Sequence, residues 1–430
     1  MFSHYVEIAI RALRHSKALT ALIIVAIGLG VGASMTMITV LHVISSDPIP
    51  NLSSHLFFPH LEPAKLGFGN ADSDPGKNLT WIDALNLLRA HRAKYQAMMV
   101  GGRVTVSGGN TLHPFYEIGR YTSSEFFEMF NAPFAQGHAW TGVDDEDHVP
   151  VVVLNGELAK RLFGKEAAVG KIVRINNEDF QIVGVINNWH PEPLFYSGLA
   201  GDYTFKSKDG FFIPITTAMD RNFQTVGYQS CWGAGGKMSD QCTWLQFWVY
   251  LNDVSQVSSY ASFLNRYWQD QKAHGRFPLN IAPALQGVKE RLQDMQLIPS
   301  QVRLQLFLSI GFLGICLFNV VGLLLAKFLY RSQEISIRRA MGATKLDIFT
   351  QLSVESVAVG ATGGLLGLAL TELGLFLVRE QPSNYVKIVH LDVQMTFTAL
   401  AMAALLSLFA AFLPAWHACR IQPAALLKVQ

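Results

Sequence analysis

Residues 18–46 read ALTALIIVAIGLGVGASMTMITVLHVISS, a run without Asp, Glu, Lys or Arg, bracketed by Lys17 and Asp47. A helix crossing the hydrocarbon of a bilayer needs about 20 apolar residues, and this run exceeds that. A cleaved secretory leader has a shorter apolar stretch of roughly 7–15 residues and a small-residue cleavage site. Here the apolar character continues through Met35, Ile38, Val40 and Leu41. The run therefore reads as a retained membrane anchor.

Working outward, three more such runs lie near the C-terminus: Leu304 to Ala326, Ser356 to Val378 interrupted by Glu372, and Val393 to Trp416. The middle one is crowded by Gly360, Gly363, Gly364 and Gly367, small residues that let helices approach closely in lipid. Composition agrees. Charged residues are 15% of the 430, against about 25% in an average soluble domain. Residues 46–303 hold 22 Lys+Arg and 25 Asp+Glu, which leaves only 12 and 7 for the rest of the chain. The chain is thus a water-compatible middle with an apolar periphery. That excludes a simple soluble enzyme, and a net charge of +2 offers nothing to nucleic acid.

Direction follows from Lys and Arg near the span ends. Arg11, Arg14 and Lys17 face Glu7 in the N-terminal tail. Lys327, Arg331, Arg338, Arg339 and Lys345 face Glu334 and Asp347 between spans 2 and 3, and Arg420 and Lys428 stand in the C-terminal tail. The loop between spans 3 and 4 is balanced, Arg379 and Lys387 against Glu380 and Asp392. Both termini and the basic loop are expected in the cytoplasm, and the large middle segment outside it. Phe2, Tyr5, Val6, Ala9 and Leu13 share one helical face, so residues 1–16 read as an amphipathic helix on the membrane surface.

The middle segment reads as mixed α/β. Thr80 caps a helix from Trp81, Ser123 or Ser124 opens a short helix, Val149–Leu154 is a strand, and Gly156–Phe163 a helix. Lys171–Ile175 and Phe180–Ile186 alternate around a turn, and Thr243–Leu251 alternates with Trp244, Trp248 and Tyr250 on one side. Ser258–Trp268 is helical, and Val288 onward reads as one helix continuing into span 2. Residues 187–240 show no period and read as an irregular insertion or a subdomain. Cys231 and Cys242 lie in this segment. An oxidising compartment would join them, and two unpaired buried cysteines are the alternative. Cys316 and Cys419 sit in or beside spans and read as packing residues.

Catalytic and metal motifs fail. No Gly-Lys pair carries the glycine spacing and following Ser/Thr of a phosphate cradle. No His pair has metalloprotease spacing, no Cys pair has zinc spacing, and no hydrolase elbow occurs. His55, His60 and Glu62 are a weak metal candidate, and Asp144–Asp147 reads as a solvated acidic turn rather than a cation site. Asn51-Leu-Ser and Asn78-Leu-Thr match a glycosylation pattern. The chain is expected to be non-catalytic.

Residues 332–357, SQEISIRRAMGATKLDIFTQLSVESV, place a short charged helix between two spans. This loop resembles the signature of FtsX-like and MacB-like ABC permeases, E-I-G-I-R-R-A-(L/M)-G-A-(T/S). Glu334, Ile335, Ile337, Arg338, Arg339, Ala340, Met341, Gly342, Ala343 and Thr344 fit it, with Ser336 in place of the usual Gly. Ile10–Lys17 with Gly28, Gly30 and Gly32 is similar to that family's first span, and Pro414–Lys428 to its ending. Tyr121–Phe130 and Val149–Ile186 look like the MacB-type periplasmic core.

The resemblance implies an α-helical membrane protein with four transmembrane helices and a large α/β periplasmic domain between the first and second. Its expected segments are an amphipathic helix at 1–16, span 1 at 17–46, the periplasmic core at 47–303, span 2 at 304–330 and a coupling loop at 331–352. Span 3 at 353–378, a short periplasmic loop at 379–392, span 4 at 393–416 and a cytoplasmic tail at 417–430 complete it. It implies a bacterial inner membrane and separate cytoplasmic ABC ATPase subunits that bind ATP and magnesium, pushing on the Glu334–Thr344 segment. The chain itself binds no cofactor or metal directly in this reading. A second permease subunit, identical or not, is implied, and a membrane-fusion adaptor with an outer-membrane channel is compatible. Efflux of a periplasmic substrate leads. A lipoprotein-releasing permease of the LolC/LolE kind and an FtsX-like regulator of a cell-wall hydrolase are the alternatives.

Overall fold

A computed structural model describes residues 17–63, 78–187, 189–199, 201–205 and 208–420. The expected amphipathic helix at 1–16 and the end of the tail lie outside the described residues. The chain divides into a helical unit, Met1–Ser46 with Ile298–Gln430, and a sheet unit, Asp47–Leu297.

In the helical unit four helices are long and apolar enough to cross a membrane: Lys17–Ser45, Ser300–Tyr330, Lys345–Arg379 and Val393–Trp416, here spans 1 to 4. Lipid is as apolar as leucine, so such helices are held by close packing rather than by hydrophobic exclusion. The glycines of span 3 provide it. A Cβ on Gly363 would stand 2.8 Å from Ile27 of span 1, and one on Gly364 2.9 Å from Ala403 of span 4. Span 3 thus lies between spans 1 and 4 with backbone surfaces in contact. Ser34 of span 1 donates to the Ser309 carbonyl of span 2 at 3.1 Å.

The sheet unit carries β1 (Leu56–His60), β2 (Tyr95–Ser107), β3 (Phe115–Thr122), β4 (Phe134–Gly137), β5 (Val151–Asn155) and β6 (Ile172–Ile175). β7 (Glu178–Ile186), β8 (Phe211–Pro214), β9 (Thr225–Val226), β10 (Ser230–Cys231), β11 (Cys242–Thr243), β12 (Gln246–Tyr250) and β13 (Ala284–Gly287) follow. The main sheet runs β13-β1-β12-β2-β3-β8-β5-β7-β4, with β6 and β9 paired onto β2, and β10-β11 separate. Pairing is mostly antiparallel, with β3–β8 and β5–β7 parallel. Strands at its centre are buried on both faces, which is why they read as continuous apolar runs. In β5, Val152 and Leu154 enter one core and Val151 and Val153 the other.

Four readings change at this level. The stretch 187–240 is not peripheral throughout: Phe211–Pro214 is the fully buried β8 between β3 and β5. Its approach is pinned by a buried ion pair, Arg120 Nε to Asp209 at 2.7 Å, with the Tyr196 hydroxyl donating to the same carboxylate at 3.0 Å. Four residues are too short to display a period, so the strand was invisible to pattern. Secondly, Trp244 and Trp248 lie in opposite cores, because Leu245 bridges Leu79 and the regular strand begins only at Gln246. Thirdly, the helix from Val288 stops at Asp294; Gln296 has φ +48° and Pro299 precedes the new helix at Ser300. Lastly, the short helix Phe126–Met129 is preceded by Glu125 without a side-chain cap.

Asp144–Asp147 is likewise not a bare solvated turn. Asp144 closes a capping box with Thr141, and Asp145 accepts from the Ser124 amide at 2.7 Å and Trp140 Nε1 at 2.9 Å. Asn78 is buried, with its side chain bonded to Tyr228 and Gln246, so its glycosylation match is not an accessible one.

Candidate functional site

The site begins with a one-residue corner. Span 2 ends at Tyr330, Arg331 has φ −93° and ψ 9°, and a second helix runs Ser332–Ala340. That helix stops in a Schellman motif: the Ala343 amide donates to the Arg338 carbonyl at 3.1 Å and the Gly342 amide to the Arg339 carbonyl at 3.1 Å. Gly342 sits at φ +104°, a conformation that side chains disfavour. Nothing lies within 4 Å of where its Cβ would be, so the constraint is the backbone angle and not a tight helix junction. Thr344 then caps span 3 through reciprocal bonds with Asp347.

The ten signature residues divide by role. Ile335 is buried and joins the core of the helical unit, anchoring the short helix. Ile337 and Met341 are 59% and 76% exposed, with Ala340 and Leu346 also exposed beside them. An apolar surface of that kind on a charged helix is what a protein partner would cover. Ala343 and Gly342 make the stop, and Thr344 the restart. Arg339 is half-buried. Glu334 and Arg338 belong to something larger.

A chain of charges runs from the short helix into the spans. Arg338 Nη2 meets Glu334 at 2.7 Å, and its Nη1 donates to Gln351 of span 3 at 2.9 Å. Arg331 bridges Glu334 at 3.1 Å and Glu355 of span 3 at 2.8 Å. Glu355 in turn pairs with Lys327 of span 2 at 2.7 Å, and Lys327 donates to Thr20 of span 1 at 3.1 Å. Lys327 and Glu355 are almost wholly buried, at 1% and 3% exposed. Ionised groups persist in such surroundings only when paired and hydrogen-bonded. Three spans and the short helix are therefore tied by one polar clasp.

The chain's residues 20–263 match the family described as MacB-like periplasmic core domain, more than half of its length. The chain belongs to that family. Residues 306–423 match the FtsX-like permease C-terminal family, so the permease carries both matches in sequence, and the second covers the short helix and most of the clasp. It is 27% identical over 71% of its length to the macrolide export ATP-binding/permease protein MacB of Wolinella succinogenes, covering 42% of that protein. Against the pyoverdine export ATP-binding/permease protein PvdT of Pseudomonas syringae pv. syringae it is 26% identical over 76% of its length and 45% of the relative's. The MacB of Rhodospirillum rubrum is 25% identical over the whole chain and 61% of that protein. The permease spans about half the length of the curated relatives it matches. Membership confirms the expected fold class, four transmembrane helices with an α/β domain between the first two.

The sequence showed the short helix, but Lys327 and Arg331 counted there only as loop charges. The available signal was positional: Lys327 lies in the last turn of span 2, inside apolar neighbours, and Glu355 stands three turns into span 3. At the opposite end of span 3, Arg379 pairs with Glu372 at 2.7 Å. Cys231 and Cys242, opposite each other on β10 and β11, are joined by a disulfide. Cys316 is buried with a free thiol. His60 approaches Glu62 at 3.6 Å, and no group of three potential metal ligands occurs among the described residues.

Proposed function

We propose that this chain is the membrane subunit of a MacB-like ABC transporter in a bacterial inner membrane. Both termini and the Ser332–Ala340 helix face the cytoplasm, and the sheet unit faces the periplasm. The support for this direction is the basic excess at the loop between spans 2 and 3 against the balanced loop between spans 3 and 4. Separate ATPase subunits bind ATP and magnesium and dock on the exposed Ile337 and Met341. Their closure pushes the short helix, and the charge clasp hands that displacement to spans 1, 2 and 3. A second permease subunit completes the membrane part, and an adaptor and outer-membrane channel carry the expelled substrate onward. Two relatives are named for different cargoes, a macrolide and a pyoverdine, which supports export without choosing a cargo.

The observation that carries the reading is the clasp: a surface-exposed helix whose charges run without a break into a buried intramembrane ion pair. Its test is stimulation of the cognate ABC ATPase by the purified chain in lipid nanodiscs. Ile337→Asp with Met341→Asp should abolish stimulation while the melting temperature stays at the parent value, since neither side chain is buried. Undiminished stimulation by the double variant would remove the docking assignment. A topology reporter fused near Tyr228 should read periplasmic; a cytoplasmic signal would reverse the entire scheme.

A further inference from the structure

Span 2 carries a side-chain amide deep inside its apolar run. Asn319 stands seven residues, about 10 Å of helix, from Ala326 and 15 residues, about 22 Å, from Leu304. The other amides in the four apolar runs, Gln305 and Gln394, each stand one residue inside a run end. Asn319 is exposed on the surface of the helix and makes no hydrogen bond among the described residues. Other polar side chains of the spans close on their own helix: Thr362 donates to the Val359 carbonyl at 2.8 Å and Ser407 to the Ala404 carbonyl at 2.8 Å.

Exposure on this helix means contact with hydrocarbon, which offers an amide neither donor nor acceptor, so an unmet polar group there is strongly disfavoured. Lysine and arginine escape by reaching for the headgroups. An asparagine side chain has two rotatable bonds and cannot cover 10 Å. Its partner must therefore be brought to this depth by another helix. The surrounding surface admits one. Spacings of four and three residues place Gly311, Ile315, Asn319 and Gly322 on one face, and Ile315 is 61% exposed. A Cβ on Gly311 or Gly322 would meet nothing within 4 Å, whereas one on Gly363 or Gly364 of span 3 would meet a neighbouring span.

We propose that this face of span 2 packs against the same face of span 2 in a second copy of this chain, with Asn319 bonded to Asn319 across a two-fold axis. A carboxamide carries both donors and an acceptor, so two copies related by a two-fold axis satisfy each other without any other residue type. A purely apolar partner helix would leave the amide unmet. The inference rests on the second permease subunit proposed above and makes it an identical copy, joined at a stated depth by a stated residue.

The test uses the full chain in proteoliposomes without any ATPase, so its outcome is separate from that of the stimulation assay. Energy transfer between donor-labelled and acceptor-labelled chains, read over a range of protein-to-lipid ratios, gives the dimer dissociation constant. Asn319→Leu removes both symmetric hydrogen bonds and should raise that constant about tenfold, while the melting temperature of the chain holds because the side chain touches lipid and not the core. Asn319→Cys, in a chain also carrying Cys316→Ala and Cys419→Ser, leaves one thiol outside the Cys231–Cys242 disulfide. Copper phenanthroline should convert it to a covalent dimer. Leu365→Cys on the same background, 62% exposed on span 3, should stay uncrosslinked. A chain that is monomeric at every ratio would overturn the proposal together with the identical second subunit. Dimers that form equally well with Asn319→Leu, or that crosslink no better through position 319 than through 365, would overturn the span 2 face and leave a second subunit standing.

Discussion

Removing Glu355 tests the clasp most directly. Its carboxylate lies 2.7 Å from Lys327 and 2.8 Å from Arg331. At an effective dielectric of about 20 each contact amounts to roughly 6 kcal/mol of Coulomb energy, offset by several kcal/mol of desolvation per ion. The net value of the pair is therefore small, yet the cost of orphaning one partner is large, about 3–5 kcal/mol, because the remaining charge stays buried. Glu355→Ala leaves Lys327, 1% exposed, facing apolar spans. For a unit of this size about 1 kcal/mol moves Tm by roughly 2–4 °C, so the variant should melt roughly 6–20 °C lower. The buried free thiol of Cys316 reports melting of the spans through a thiol-reactive fluorophore once Cys419 is changed to Ser. Adding Lys327→Met to Glu355→Ala removes both charges and should recover most of the lost Tm. Transmission should not recover: the double variant, though stable, should fail to stimulate the partner ATPase, because Arg331 no longer reaches spans 1 and 3 through Glu355 and Lys327. A double variant as unstable as Glu355→Ala would refute the orphaned-charge argument. Full stimulation by the stable double variant would refute the clasp as a transmitter.

Three further outcomes follow from the geometry. At Gly342 the backbone angle alone is limiting, so replacements should cost about 1–3 kcal/mol and rank by backbone tolerance, Asn milder than Val, as read by melting and by ATPase stimulation; a ranking by volume would contradict the open space seen there. Gly363→Leu should disrupt the spans, since its Cβ already meets Ile27 at 2.8 Å, whereas Gly314→Leu meets nothing within 4 Å and should insert and melt normally; equal effects would show that span 3 is not packed as described. Burial raises the Asp145 carboxyl from 3.8 to about 6. A raised folded-state value means stability present below about pH 4 and lost as pH rises through about 6, so the Tm of Asp145→Asn relative to the parent should climb across that interval, and a constant difference would contradict the shift.

Legibility differed by element. The spans were readable because partition into lipid depends on local composition, residue by residue, and residues 18–46 carry the whole signal themselves. Thr80, whose side chain accepts from the Asp83 amide, was readable because a cap is satisfied within four residues. The β6–β7 hairpin was readable because Asn176 and Asn177 take up φ of +48° and +68°, as asparagine tolerates. By contrast β8 has four residues with no turn signal of its own, and the faces of Trp244 and Trp248 depend on the bridge from Leu245 to Leu79. Gly342 was visible only as one position of a signature; that a positive φ, with open space around it, is what calls for glycine there came from the structure.

The candidate site shows the same division. The sequence by itself determined that this is a four-span membrane protein with a water-compatible insertion and a short charged helix between spans 2 and 3, because hydrophobicity, helical period and capping are properties of neighbouring residues. Only the tertiary structure decided that Lys327, Arg331, Glu334 and Glu355 form one clasp, and that Ile335 faces inward while Ile337 and Met341 face outward. Those assignments join residues distant along the chain. Their energies arise from shared burial and mutual distance, which exist only once the helices and strands have packed.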